Sequence, residues 1–238
     1  MADRSERFAG FPAEGIEFLA GLAADNTRGF FDARRDVYHR DLAAPIRLFV
    51  TDVADRLRAS VAPALRAEPA VGKSLFRINR DLRFSKDKTP YNPWIDAIWW
   101  EGHPDARQAP AFIFRLAADH IVVGAGIMGL RGDQLKRYRQ AVADPPTGAA
   151  LRTAIDQIRG AHPDTRVTEP TRKRVPAPYP QDHPHGDLLR LDALHASRSL
   201  AHPEEIDTDR FTAWTADHLQ PFAAVHTWLV DNLTPQPP

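Results

Sequence analysis

Between positions 77 and 91 the chain sets five basic side chains, Arg77, Arg80, Arg83, Lys86 and Lys88, beside two acidic ones, Asp81 and Asp87, for a local net charge of +3. A guanidinium fork matches the paired oxygens of a carboxylate or phosphate, and an ammonium adds a compact point charge. Ser85 and the loop amides supply neutral donors to the same kind of group. Apolar Ile78, Leu82 and Phe84 are interleaved with the charges, so this is an anchored segment and not a solvated charge run. The chemistry expected of it is recognition of an anionic, phosphate-type group on a small molecule by Arg77, Arg80, Arg83, Ser85, Lys86, Lys88 and Tyr91. Asp81 and Asp87 would fix arginine rotamers, or one would act as general base, which requires burial to raise its pKa. Binding and catalysis both remain open at this level.

Arg172, Lys173, Arg174 and His183 form a second cluster, expected to close the pocket from the other side. His183, His185 and Asp187 have the donor types of a divalent-metal site. The proline and glycine between and after them imply a loop, so no ring direction follows from the spacing and no metal or other cofactor is expected. The competing expectation there is that the loop caps a helix starting near Asp187, with His183 bonded to backbone. Two alternatives stand beside the small-molecule reading. Trp94, Trp99 and Trp100 near the basic residues could stack on bases in a module for nucleic acid or a phosphorylated partner; or the charged segment is a buried ion-pair network in a structural protein.

Two letter patterns fail on context. Gly124-Ala125-Gly126-Ile127-Met128-Gly129 follows an apolar run and spells a dinucleotide fingerprint. Such a fingerprint needs a second strand ending in an acidic residue about 20 positions on. Asp144-Pro145-Pro146 occupies that place without a strand before it, so the expectation is a glycine-rich strand packed closely on a neighbour. Gly72-Lys73-Ser74 echoes a phosphate-binding loop, but Ala67 stands where the earlier glycine must be.

The 238 residues contain 31 Lys+Arg and 31 Asp+Glu, so no global field gathers nucleic acid or an anionic membrane, and any anion site must be local. Cysteine is absent, which excludes disulfides, thiolate metal centres and cysteine nucleophiles. No apolar run is long enough for a signal peptide or membrane span, and the expected compartment is the cytoplasm.

The elements that must carry these residues follow from periodicity. Ile16, Leu19, Ala20 and Ala23 after Pro12 predict a short helix, Phe30 to Tyr38 a second, and Ile46, Phe49, Val50, Val53, Leu57 and Val61 a long amphipathic one. Alternation at Leu75, Phe76 and Ile78, and the aromatic run from Trp94 to Trp100, predict strands. Runs beginning at Ala111 and Ile121 predict a hairpin about residues 118–120. Leu135, Tyr138 and Val142, then Leu151, Ile155 and Ile158 capped by Thr147, predict two helices, and Phe211 to Leu229 a pair kinked at Pro221. The expectation is a single domain over 1–238 of α+β class: helices over about 12–66, a mainly antiparallel sheet over about 72–128, and helices over about 131–232. The prolines of 234–238 mark a frayed end.

Residues 80–91, RDLRFSKDKTPY, resemble the characteristic segment of the bacterial and fungal proteins grouped as domain of unknown function 2461. Phe18-Leu19 and residues 26–31 fit that family's opening, with Phe30 where tryptophan is common. Residues 124–126 fit its glycine-containing strand, residues 135–155 its following helices, and residues 172–189 its late segment, with Lys173, His183, Pro184 and Leu188-Leu189. Met128-Gly129 departs from an expected proline turn, and His185 and His195 stand where the family is not associated with histidine, so neither inherits a role. The resemblance implies the fold and marks residues 77–91 as special; it implies no reaction.

Overall fold

The structure, a computed structural model, describes residues 7–83 and 85–234. Phe84 and the proline tail therefore lie outside the described residues. Helix α1 (Ala13–Ala24) starts directly after Pro12. It is followed by α2 (Arg28–Ala33), where the Thr27 hydroxyl accepts from the Phe30 N–H, and α3 (Arg35–Tyr38). One π-helical turn, His39–Ala43, leads into α4 (Pro45–Ser60), which restarts at its proline as expected. Ile46, Phe49, Val50, Val53 and Leu57 of α4 are all buried. The buried face of α1 is Gly15, Phe18, Leu19 and Leu22, rotated from the expected Ile16, Leu19, Ala20 and Ala23. Close packing accounts for the rotation: a Cβ on Gly15 would stand 2.8 Å from the Asp41 carbonyl oxygen, and Phe18 packs against Phe30, Phe31 and Tyr38.

Five antiparallel strands form one sheet: β1 (Trp94–Trp100), β2 (Ala111–Ala117), β3 (Ile121–Ile127), β4 (Arg166–Val167) and β5 (Leu194–Leu200), in the order β1-β2-β3-β5-β4. The α+β class is thus the observed one. The β2–β3 hairpin closes with the Ala117 N–H donating to the His120 carbonyl at 3.0 Å. Gly124 and Gly126 belong to β3, where a Cβ would stand 2.2 Å from the Ala196 and Leu194 carbonyl oxygens of β5. They permit close approach of two strands, as the failed fingerprint predicted.

Two expectations about strands need correction. Residues 75–79 form only isolated bridges, Leu75 with Ala97 and Asn79 with Tyr91. Pro90 and Pro93 lack the N–H groups a continuous ladder would use there. β5, sequence LHASRSL, falls within the stretch expected to be helical.

After the sheet's third strand come α5 (Gly132–Ala143) and α6 (Pro145–Ala161), then α7 (Gly186–Leu189), α8 (Phe211–Leu219) and α9 (Ala223–Leu233). Asp144, not Thr147, caps α6: its carboxylate accepts from the Thr147 N–H, and the two prolines fill the first turn, where no N–H is required. The expected break at Pro221 is a 3-10 turn, Gln220–Phe222, between α8 and α9.

The contacts divide the chain into two compact units. The first comprises 1–99, 113–123 and 199–218; its core is an aromatic cluster in which the Phe49 ring lies 4.7 Å from Phe114, 5.2 Å from Phe8 and 5.5 Å from both Phe11 and Phe211. The second comprises 100–112, 124–198 and 219–238. There α6 packs on α5 and α9, Tyr138 donates to the Leu188 carbonyl at 3.2 Å, and Trp228 donates to the Thr147 carbonyl at 2.9 Å. No described helix is long and apolar enough to cross a membrane.

Candidate anion-binding site

Residues 77–91 all belong to the first unit, and their ends are fastened together. Arg80 N–H donates to the Pro90 carbonyl at 2.9 Å, and Asn92 N–H to the Ile78 carbonyl at 2.7 Å. Asn26 grips the outgoing strand: its Nδ2 donates to the Tyr91 carbonyl and its Oδ1 accepts from the Tyr91 N–H, each at 3.0 Å. The Tyr91 ring stacks on Phe31 at 4.4 Å and is only 6% exposed, so it belongs to the core and does not line a binding surface. Ile78 is buried as the opposite anchor.

Above this stem the loop is braced from within. The Arg80 guanidinium donates to Asp87 at 2.5 Å, to the Thr89 hydroxyl, and to Ser85 Oγ at 3.4 Å. Lys88 Nζ donates to the Leu82 carbonyl at 3.0 Å. Asp81 receives Arg83 through Nε at 3.0 Å and a terminal nitrogen at 2.6 Å. Arg80 and Ser85 are therefore occupied in holding the loop, while Arg83, exposed, is paired with Asp81 through Nε and one terminal nitrogen. Among the described residues, Arg77 and Lys86 are exposed and make no hydrogen bond or ion pair.

The electrostatics of the two aspartates bear on the roles expected of them. Asp87 is lowered to about 2, first by the Thr89 N–H and then by the Arg80 guanidinium and the Thr89 hydroxyl. Asp81 is lowered to about 2 by the Arg83 side chain and its N–H. A general base needs the opposite shift. Both carboxylates suit the orienting role. The Arg83–Asp81 pair is not buried, its side chains being 78% and 59% exposed, whereas the Arg80 side chain of the Arg80–Asp87 pair is 24% exposed.

Arg172, Lys173, Arg174 and His183 lie in the second unit. Arg172 pairs with Asp192 at 3.1 Å, a carboxylate that also receives Arg139 at 2.9 Å. Arg174 is exposed. Lys173 and His183 line a concavity of about 360 Å³ with Gln181, Asp187 and Arg190, so the structure brings two of the four together around a hollow of their own. His183 Nδ1 accepts from the His185 N–H at 3.0 Å, so His183 is bonded to backbone as expected, but no side chain of the loop caps α7. Asp187 is held by Arg152 at 2.5 Å. Burial pushes its carboxyl up, but the Arg152 bond and charge outweigh this and leave it lowered. Burial, with Arg152 and His183 nearby, lowers His185. Among the described residues no three His, Cys, Asp or Glu side chains come together to hold a metal ion.

Trp99 and Trp100 are fully buried. Trp94 lies under Arg115 at 4.2 Å with its N–H donated to Asp96. Trp99 and Trp100 thus offer no face to a base, and the half-buried Trp94 ring is covered by Arg115.

Sequence reasoning missed Asn26, Arg152 and Arg190. Asn26 acts 65 residues away and Arg152 reaches Asp187 across 35, separations that leave no periodic trace.

Fold and loop together define an α+β chain that carries a braced basic segment. The chain belongs to the conserved hypothetical proteins of family DUF2461, whose model matches residues 14–228. No curated protein matches it.

Proposed function

We propose that the 77–91 loop binds a small molecule through an anionic group of phosphate type. The observation that supports this is the division of labour among its cations. Arg80 is spent on Asp87, Thr89 and Ser85, whereas Arg77 and Lys86 stand exposed with no carboxylate partner among the described residues. A loop held open by its own hydrogen bonds loses little conformational freedom on binding, which favours affinity. Arg83, whose Nε and one terminal nitrogen are taken by Asp81, adds its other terminal nitrogen, and Lys88 retains two of its three donors. Asp81 and Asp87 orient these groups. Any catalytic step at this site would draw its base from elsewhere, because both carboxyls stay ionised and weakly basic near neutral pH.

The test is thermal melting of the wild type and an Arg77→Gln/Lys86→Gln variant against phosphate, nucleotides, sugar phosphates and carboxylates. A ligand that binds only the folded state raises the melting temperature. A phosphate-bearing compound is expected to raise it further for the wild type than for the variant. An equal rise in both proteins, or none in the wild type, would overturn the assignment.

A further inference from the structure

The geometry points to a second and separate binding site: the concavity lined by Lys173, Gln181, His183, Asp187 and Arg190 takes a small free anion, a phosphate or short dicarboxylate. All its residues lie in the second unit, so the inference does not rest on the reading of the 77–91 loop.

Its volume, about 360 Å³, is within the range of ligand pockets, but its lining is not apolar. Val175 and Pro184 are the only hydrophobic contributors beside Gly186 and five polar or charged side chains. Such a hollow selects a small charged ligand over a large apolar one.

The walls are built in advance. The Gln181 side-chain amide clasps Val175 in both directions, donating from Nε2 to its carbonyl at 2.7 Å and accepting its N–H at 3.2 Å. That clasp closes residues 175–181 into a ring. Gly186 faces Val175 so closely that a Cβ would meet the valine methyl at 3.1 Å.

The donors are preset too. Because His183 Nδ1 accepts the His185 N–H, the neutral imidazole must carry its proton on Nε2, leaving that nitrogen as a hydrogen-bond donor. Arg190 uses only Nε, on the Gly186 carbonyl at 3.3 Å, so its two terminal nitrogens have no partner among the described residues; nor does Lys173. The one lining carboxylate, Asp187, is already matched by Arg152 at 2.5 Å. Two unmatched cations and one oriented neutral donor thus share a single hollow.

Titration calorimetry at low ionic strength, with inorganic phosphate and with succinate, tests the assignment on the wild type, Lys173→Gln and the loop variant Arg77→Gln/Lys86→Gln. Lys173 is exposed and makes no hydrogen bond or ion pair among the described residues. Its replacement is expected to weaken binding of the better anion about tenfold, the loss of one charge-assisted bond, while the loop variant retains that affinity. In parallel, the imidazole 15N resonances of His183 are expected to move during the titration and those of His195 to stay. The site is overturned if neither anion binds more tightly than about 10 mM, if Lys173→Gln binds like the wild type, or if His183 does not respond. Loss confined to the loop variant would sink this inference and leave the loop assignment standing.

Discussion

Asn26 holds Tyr91 in a two-way grip, one side-chain amide satisfying both the N–H and the carbonyl of a single residue at 3.0 Å each. It performs for the end of the basic loop what a neighbouring strand would otherwise do. The loop's shape therefore depends on a residue in the turn between α1 and α2.

Replacing Asn26 with alanine is expected to destabilise the protein by about 1–3 kcal/mol, because two part-buried backbone groups lose their partner. Asn26→Asp keeps the acceptor for the Tyr91 N–H but sets a charged oxygen against its carbonyl, and should fall no higher than midway. Urea midpoints at unchanged slope measure the cost. Trypsin cleavage after Arg83 or Lys86 should accelerate in both variants; unchanged cleavage would mean the grip does not shape the loop.

Gly126→Ala is expected to cost about 3 kcal/mol, the upper end of overpacking penalties, since its Cβ would stand 2.2 Å from a backbone oxygen that cannot swing aside. Gly160→Ala is the matched control: it sits near the end of α6 with open space around it, and should stabilise by about 0.5–1 kcal/mol through helix propensity. Thermal melts of the two variants should move in opposite directions.

Asp81 and Asp87 carry a pH signature. Their carboxyls are depressed to about 2, so the unfolded chain binds these protons more tightly than the folded one. The stabilisation is fully present above the unfolded value near pH 4 and is lost as pH falls toward 2. Both groups are exposed, so the effect on global melting is small and screened by salt. The local readout is sharper: carboxyl 13C titrations should give midpoints near 2 for both residues. Midpoints in the ordinary carboxylate range would show that the Arg83 and Thr89 contacts do not persist in solution.

Much of this was visible in the residues themselves. The α4 stripe is apolar at helical spacing, and β1 to β3 are rich in aromatic and β-branched side chains, so pattern and packing agree. β5 was hidden because Ala196, Ser197 and Ser199 give weak strand signal, and its place is set by the glycines of β3 that admit its backbone. The face of α1 was misread because Gly15, which carries no apolar signal, is buried by close approach of the Asp41 backbone and Leu42. At the candidate site, the types and density of charge at 77–91 were legible, but which cation is spent on which carboxylate was not. That depends on how an irregular loop closes, and Arg80 chose the distant Asp87 while Arg83 took Asp81.

The division of the chain into interleaved units has a consequence for its synthesis. Phe49 is made early, yet its stacking partner Phe211 lies in residues 199–218, after the entire 75-residue stretch 124–198 of the other unit. At about 5–20 residues per second, that stretch alone takes roughly 4–15 s to translate. For that interval Phe8, Phe11 and Phe49 emerge without the ring that completes their cluster, so the growing chain carries an open aromatic face until Phe211 is made.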